Sequence, residues 1–268
     1  MKSRSYIIHG GHEGADRLKV LANATWLTTE SFLIEAGIQT GAHCLDVGCG
    51  NGEISSRILS LIGTSGEILG VDCDQRIIEI ASDSAVASDP RVSFRIIDVE
   101  SEALLGGPYD FIFARFLLSH LKQPEAVIRK VLGVLKPGGI FAVEDVDFRG
   151  HFCYPESSAF DRYVELYTLA GIQNGVDPLI GPRLPGLLEK AGFKDVRIKV
   201  VLPTFRNGEG KLMSLLTLEA IQDSLVTSGL IDLNEVQRLL AELRQFTQDD
   251  HSIMSLPRIF QVWGIAAS

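Results

Sequence analysis

Positive charge is in short supply in this 268-residue sequence: 25 lysines and arginines face 34 aspartates and glutamates, a formal net charge of −9. Nucleic-acid affinity rests largely on lysine and arginine neutralising phosphates, so this balance argues against a nucleic-acid partner. Cysteine patterns are missing too. Cys44, Cys49, Cys73 and Cys153 form no C-x-x-C pair and match no zinc or disulfide spacing, so no metal is expected. The first three lie in or beside apolar runs, where a free thiol packs as a small hydrophobe. Apolar runs such as Phe111 to Ala114 fall far short of the ~20 residues that cross a bilayer, so no membrane partner is expected. Met1 to Gly14 lacks the apolar stretch of a secretory signal, which makes a cytoplasmic location the expectation. There is no internal repeat and no low-complexity tract.

What is present is the material of a folded domain. Hydrophobic residues make up 46% and charged residues 22%, enough for one large core or one core with attachments. Short apolar runs at 43–47, 67–71, 91–97, 109–114 and 140–143 read as strands. They alternate with helical patterns at 53–62, 75–86 and 124–135. That alternation predicts an α/β fold, with a mostly parallel sheet and helices on both faces. Two later strands, 196–202 and 258–265, complete the sheet. On the flanks, 12–37 reads as helical, with Leu18, Leu21, Leu27, Phe32 and Leu33 spaced for one apolar face. Further helices are expected at 156–172, 182–191 and 209–246, the last broken near Gly229.

The most informative segment is Asp46-Val-Gly-Cys-Gly-Asn-Gly52, at the end of the first strand. Glycines there let the backbone turn sharply and approach a ligand, and the next helix presents its N-terminal amides. A dinucleotide-binding turn wants G-x-G-x-x-G/A. Here Gly48 and Gly50 are followed by Gly52 and Glu53, so the third glycine falls one place early.

Cys44-Leu-Asp-Val-Gly-Cys-Gly-Asn-Gly-Glu53 resembles the first motif of class I S-adenosylmethionine-dependent methyltransferases. Leu69-Gly-Val-Asp72 is similar to that family's second-strand end, whose acidic residue accepts both ribose hydroxyls, with Cys73 and Ile77 following. Asp98, with Val99 beside it, resembles the residue that meets the adenine amino group. Tyr109 to Ala114 and the segment from Arg115 to Leu121 look like the fourth strand and its active-site loop. Leu135-Lys-Pro-Gly-Gly139 matches the turn before the fifth strand. Outside the core, Tyr6, Glu13-Gly-Ala-Asp-Arg17, Glu144 to Phe148, Gly175 to Leu184 and Leu188 to Phe193 resemble a small-molecule subgroup, of the quinone-biosynthesis and natural-product tailoring type.

The resemblance implies a Rossmann-like seven-stranded sheet with an antiparallel last strand. It implies S-adenosyl-L-methionine as cofactor and S-adenosyl-L-homocysteine as product. The residues it implies for the cofactor are Gly48, Cys49, Gly50, Gly52, Asp72, Cys73, Ile77, Asp98 and Val99, with Asp46 acting directly or bracing the turn, Arg115 facing the cofactor or fixing its loop, and Tyr6 and Arg17 folding over the amino-acid end. The chain divides into an N-terminal helical lid at 1–39 and a cofactor-binding core at 40–147. A helical cap follows at 148–192, and 193–268 completes the sheet, with a helical insertion at about 209–248.

Methyl transfer from a sulfonium is an in-line displacement that asks the protein mainly for alignment and exclusion of water. A base serves only when the acceptor must lose a proton. His120 is the candidate base, or else a helix-start histidine bonded to backbone. Glu144 and Asp147, with Asp145 between them, could supply a second base or form a solvated strand end. Phe148, His151, Phe152 and Tyr154 are candidates to line a flat acceptor, or rings that pack the cap. No Pro-Pro step and no Pro-Cys step occurs, which removes the signatures of DNA base methylation. The expectation is methyl transfer to a nitrogen, oxygen or carbon of a small, aromatic metabolite in natural-product biosynthesis, with quinone-precursor C-methylation as the alternative. An NAD(P)-dependent reductase and a non-catalytic cofactor-binding module are the rivals from other classes. The N-terminal helices can cover their own site or exchange with a second copy, so a homo-oligomer remains open.

Overall fold

The computed structural model describes residues 12–267; Tyr6 lies outside the described residues. In chain order the elements are α1 (His12–Ala36), β1 (His43–Val47), α2 (Glu53–Leu61), β2 (Glu67–Asp72), α3 (Gln75–Ser82), β3 (Val92–Ile96) and β4 (Tyr109–Arg115). Then come α4 (Pro124–Leu132), β5 (Leu135–Asp147), β6 (Cys153–Tyr154), α5 (Ser158–Gln173), α6 (Leu184–Ala191), β7 (Lys194–Val201) and β8 (Thr204–Phe205). The chain closes with α7 (Met213–Thr227), α8 (Leu233–Gln248), β9 (Ile253–Ser255) and β10 (Arg258–Ile265).

Seven strands form one sheet in the order β3-β2-β1-β4-β5-β10-β7. β1 through β5 pair in parallel, and β10 runs antiparallel to both β5 and β7. The order reverses between β1 and β4, which opens a crevice beyond the carboxyl ends of those strands. The period-2 alternation of β4 shows how the sheet is held. Phe111 and Phe113 pack with α1, α2 and Trp263 on one face. Ile112 and Ala114 pack toward α4 and α6 on the other. Burying each such phenylalanine contributes roughly 1.5–3 kcal/mol.

Two expectations shift. In α1 the buried stripe is Ala22, Thr25, Thr29, Phe32 and Leu33, while Leu27 is 81% exposed. At about 3.6 residues per turn, position 27 falls between positions 25 and 29 and points away. Thr25 and Thr29 hold that stripe because their hydroxyls find partners, Leu21 O at 2.7 Å and Glu144 Oε2 at 2.7 Å. β5 is also longer than the apolar run 140–143, because pairing with β4 and β10 carries it through to Asp147.

Beyond the sheet, α5, α7 and α8 pack on one another and on Phe148, forming a separate apolar cluster. The break at Gly229 is as expected: its φ of +72° is the left-handed conformation that ends a helix at low cost for glycine. A three-stranded sheet, β6-β9-β8, ties this cap together and was not anticipated. Strands of two or three residues are too short to register as alternation.

Candidate active site

A cleft of about 1530 Å³ lies beyond the carboxyl ends of β1, β2 and β4 and runs under α1 to the cap. One end is the glycine turn. Gly48, Gly50 and Gly52 all have positive φ, at +75°, +54° and +77°. At Gly52 a Cβ would stand 2.6 Å from Phe94 Cζ, so both conformation and space demand glycine. Val71 O accepts from the Gly48 and Cys49 amides, which pins the turn to β2. Glu53 and Ile54 line the cleft, Asn51 Oδ1 accepts the Glu53 amide at 3.4 Å, and Gly52 adds no side-chain cap to α2. Its first-turn amides are donors suited to a carboxylate.

Three carboxylates at or just after strand ends stand here, with Glu53 and Asp74 beside them. Asp46 is buried, accepts from Ser55 Oγ at 2.6 Å, and is pushed up to about 6 by burial, against the pull of Ser55 and Arg115. Asp72, at the tip of β2, accepts the Gly50 amide at 3.1 Å and the Asp74 amide at 3.0 Å. Burial raises its pKa while those amides lower it. Asp98 follows β3 and accepts the Glu100 amide at 3.0 Å and Ser101 Oγ at 2.9 Å. Cys73 and Ile77 line the same space. Arg115 leaves β4 into the cleft, donates to Thr25 Oγ1 at 3.0 Å, and sits in the field of Glu144 and Asp46.

The other end is aromatic. Phe148 stacks on Tyr167 with centroids 3.8 Å apart and planes at 11°, and meets His151 edge-on at 4.4 Å. Tyr163 closes the group, 5.8 Å from Phe148. His151 Nδ1 and Phe148 O lie 2.7 Å apart, and burial lowers the imidazole to about 4. His120, on the loop after β4, is lowered to about 4 by burial and by the Arg17 guanidinium. Arg17 donates from Nε to Thr217 Oγ1 at 3.3 Å. Burial holds Tyr163 and Tyr167 neutral, the latter pushed up to about 12.

The cleft thus brings together Asp46, Gly48, Cys49, Gly50, Asp72, Cys73, Ile77, Asp98, Arg115, Arg17, His120, Phe148 and His151. Other sequence candidates stand elsewhere. Gly52 sits just behind the turn, against Phe94. Val99 is buried in the core among Leu117 and Leu118. Glu144 faces the α1 side of the sheet, where Thr29 and Gln261 donate to it at 2.7 and 2.6 Å. Asp147 is buried and clamped by Arg258 at 2.9 Å and Arg149 at 3.2 Å, and it accepts the Arg149 amide. Neither carboxylate lines the cleft. Phe152 and Tyr154, 43% and 66% exposed, lie outside it on the β6 segment. Tyr163 and Tyr167 were missed by sequence reasoning. Their spacing of four on a helix was the available signal, since it sets two polar-tipped rings on one face.

The sheet order, the glycine turn and the strand-tip acid together define a Rossmann-like fold of the class I methyltransferase kind. A family model described as a methyltransferase domain matches residues 38–173, and the chain belongs to that family. It is 27% identical over 175 residues to methyltransferase GfsG of Streptomyces halstedii, a match covering 65% of this chain and 60% of that protein. It is 26% identical over 154 residues to the ubiquinone/menaquinone biosynthesis C-methyltransferase UbiE of Azotobacter vinelandii, covering 56% and 58%. The chain spans between 32% and 60% of the length of the first curated relatives it matches. Its fold is shared with Haemonchus contortus phosphoethanolamine N-methyltransferase 2, solved with phosphomonomethylethanolamine and S-adenosylhomocysteine. There the TM-score is 0.57 at 17% identity, over 93% of this chain and 56% of that one. No helix among the described residues is long and apolar enough to cross a membrane.

Proposed function

We propose that this chain transfers a methyl group from S-adenosylmethionine to an oxygen, nitrogen or carbon atom of a small, ring-containing metabolite in natural-product biosynthesis. One observation carries the reading: a single cleft joins the glycine turn and Asp72 to the rings of Phe148, His151, Tyr163 and Tyr167. A ligand of the first end and a ligand of the second would therefore meet inside it.

The donor set at the first end fits this cofactor. Asp72 can accept two hydroxyl donors at once, as a ribose presents them. The α2 amides suit a carboxylate, and Asp98 suits an amino group. Asp46, Asp72, Asp74, Asp98 and Glu53 all border this end, and that negative field favours a cationic ligand over a pyrophosphate. This disfavours a nicotinamide dinucleotide. Gly48, Cys49, Gly50, Cys73 and Ile77 shape the walls, and the Arg115 charge acts on Asp46 through space.

When bound, S-adenosylmethionine supplies a methyl group on a sulfonium whose departure leaves a neutral thioether. The chain's own work is to seat the acceptor in line and keep water out. Phe148 and Tyr167 offer a flat wall for a ring. His120 borders the same space, and burial and the Arg17 guanidinium hold it to about 4, so its part in removing an acceptor proton would be that of a weak base. Glu144 and Asp147 have no part in this scheme, since both are consumed by structural partners.

Calorimetric titration with S-adenosylhomocysteine, paired with label transfer from methyl-labelled cofactor to a panel of phenols, amines and quinone precursors, tests the reading. Micromolar binding and label in a ring-containing acceptor are expected. Tight NAD(P) binding without S-adenosylhomocysteine binding would overturn it. Cofactor binding with no acceptor labelled by the panel would favour a regulatory module. Quinone-precursor C-methylation is the second reading, favoured by the likeness to UbiE, and label on a quinol ring carbon would select it.

A further inference from the structure

Arg17 places a cation in the aromatic half of the cleft. Its neighbours there are Thr217, to which it donates, the neutral phenols of Tyr163 and Tyr167, and the neutral ring of His120. Among the described residues no carboxylate stands within ion-pair distance of it. Arg115, by contrast, sits in the field of Glu144 and Asp46. Arg17 is half-buried in the cleft wall, and a partly desolvated guanidinium with no counter-ion among the described residues gains from one, since neutral hydroxyls offset only part of its desolvation. The arrangement is one that an incoming anion would complete.

The helix itself says from which side. On α1, Ala15 O accepts from Asn51 Nδ2 at 3.1 Å, and a Cβ on Gly50 would stand 3.0 Å from Leu18 Cδ1. Ala15 and Leu18 therefore face the glycine turn. Arg17 and Leu21, four apart, face the cap instead, where Leu21 packs with Met213 and Leu256. The carboxylate of the proposed cofactor already has donors at the glycine turn, in the first-turn amides of α2.

We propose that Arg17 receives an anionic oxygen group of the methyl acceptor, so that the acceptor is a planar aromatic acid or acidic phenol seated against Phe148 and Tyr167. A fork of N–H donors matches a carboxylate in two bonds, and the same charge favours the ionised form of a phenol, which is the stronger nucleophile. This rests on the methyl-transfer reading and adds the acceptor's chemical class.

The test uses the full chain loaded with S-adenosylhomocysteine and two probes of nearly equal shape, benzoate and benzamide, followed by saturation-transfer NMR titration. For the native chain, benzoate is expected to bind about tenfold tighter than benzamide. Arg17→Gln should abolish that preference while leaving S-adenosylhomocysteine affinity within about twofold, which also shows that the variant is folded. Arg17→Lys should keep part of the preference, since it retains charge but loses the fork. Equal binding of the two probes to the native chain overturns the proposal. So does an Arg17→Gln variant that loses cofactor affinity while still preferring benzoate, because the anion Arg17 holds would then be the cofactor's. Failure of the native chain to bind S-adenosylhomocysteine would instead overturn the methyl-transfer reading, and the probe comparison would still be measured on the unloaded chain.

Discussion

The two ends of the cleft are built from different kinds of chain. The glycine-turn end draws on residues 46–98, close in sequence, and works mainly through backbone amides and carboxylates at strand tips. The aromatic end draws on Arg17, His120, Phe148, Tyr163 and Thr217, where one hydrogen bond spans 200 residues of sequence. A site made of backbone geometry tolerates little change. One made of side chains on separate helices can change its occupant by substitution while the sheet stays the same. The difference teaches where recognition of a shared ligand ends and recognition of a particular one begins.

The contrast between the two ends is sharpest at Asp72. Asp72→Ala removes an acceptor of two charge-assisted hydrogen bonds and should weaken S-adenosylhomocysteine binding about a thousandfold by calorimetry. Affinity within a few-fold of native would show that the glycine-turn end is not where the cofactor is held. Asp147→Ala should act on stability instead. Losing the buried acceptor of Arg258 and Arg149, whose own guanidiniums stay hydrated, should cost about 1–2 kcal/mol in urea denaturation, with cofactor affinity unchanged. A native-like melt alongside lost methyl transfer would return Asp147 to the chemistry.

His120→Gln sharpens the aromatic end. Transfer to a hydroxyl acceptor should fall by no more than about tenfold, because a base held to about 4 is far from matched to neutral pH, with S-adenosylhomocysteine affinity preserved. The native pH–rate profile should lack an inflection near 6.5, because His120 is held down to about 4. Its linkage to stability has a definite sign. The unfolded chain takes up the imidazole proton at about 6.5 and the folded chain only near 4, so stability from this group is present above 6.5 and lost as pH falls toward 4. The loss of stability on acidification should therefore be smaller in His120→Gln, measured by urea midpoints across that range. The smallest effects are expected at Phe152→Ala and Tyr154→Ala. Both side chains are exposed outside the cleft, and stability should move by no more than about 0.5 kcal/mol with methyl transfer unaltered. A lost acceptor in either variant would extend the aromatic end to β6.

Much of the molecule was legible before any coordinates. The sheet strands and most helices announce themselves through period-2 and period-3.6 patterns, and the glycine turn through residues that only a tight, left-handed backbone needs. Asp72 and Asp98 were singled out by resemblance at strand ends, and both line the cleft. Glu144 and Asp147 were not readable as structural, although their position at a strand end was. Whether such a carboxylate meets ligand or protein depends on Gln261 and Arg258, more than a hundred positions away. Leu27 was misplaced on the apolar face because Thr25 and Thr29 look polar in sequence and are buried in the fold.

The sequence by itself determined the α/β alternation, the turn between β1 and α2, and the acid at the tip of β2. These are local, set by dihedral preference and by hydrophobic period over a few residues. Which charges stand together follows from packing: Arg17 turns toward Tyr163 and Tyr167, and the carboxylates of β5 are taken by partners of their own. Pairings of that kind depend on how separate helices and strands are packed, and no local pattern encodes the distance between residues so far apart along the chain.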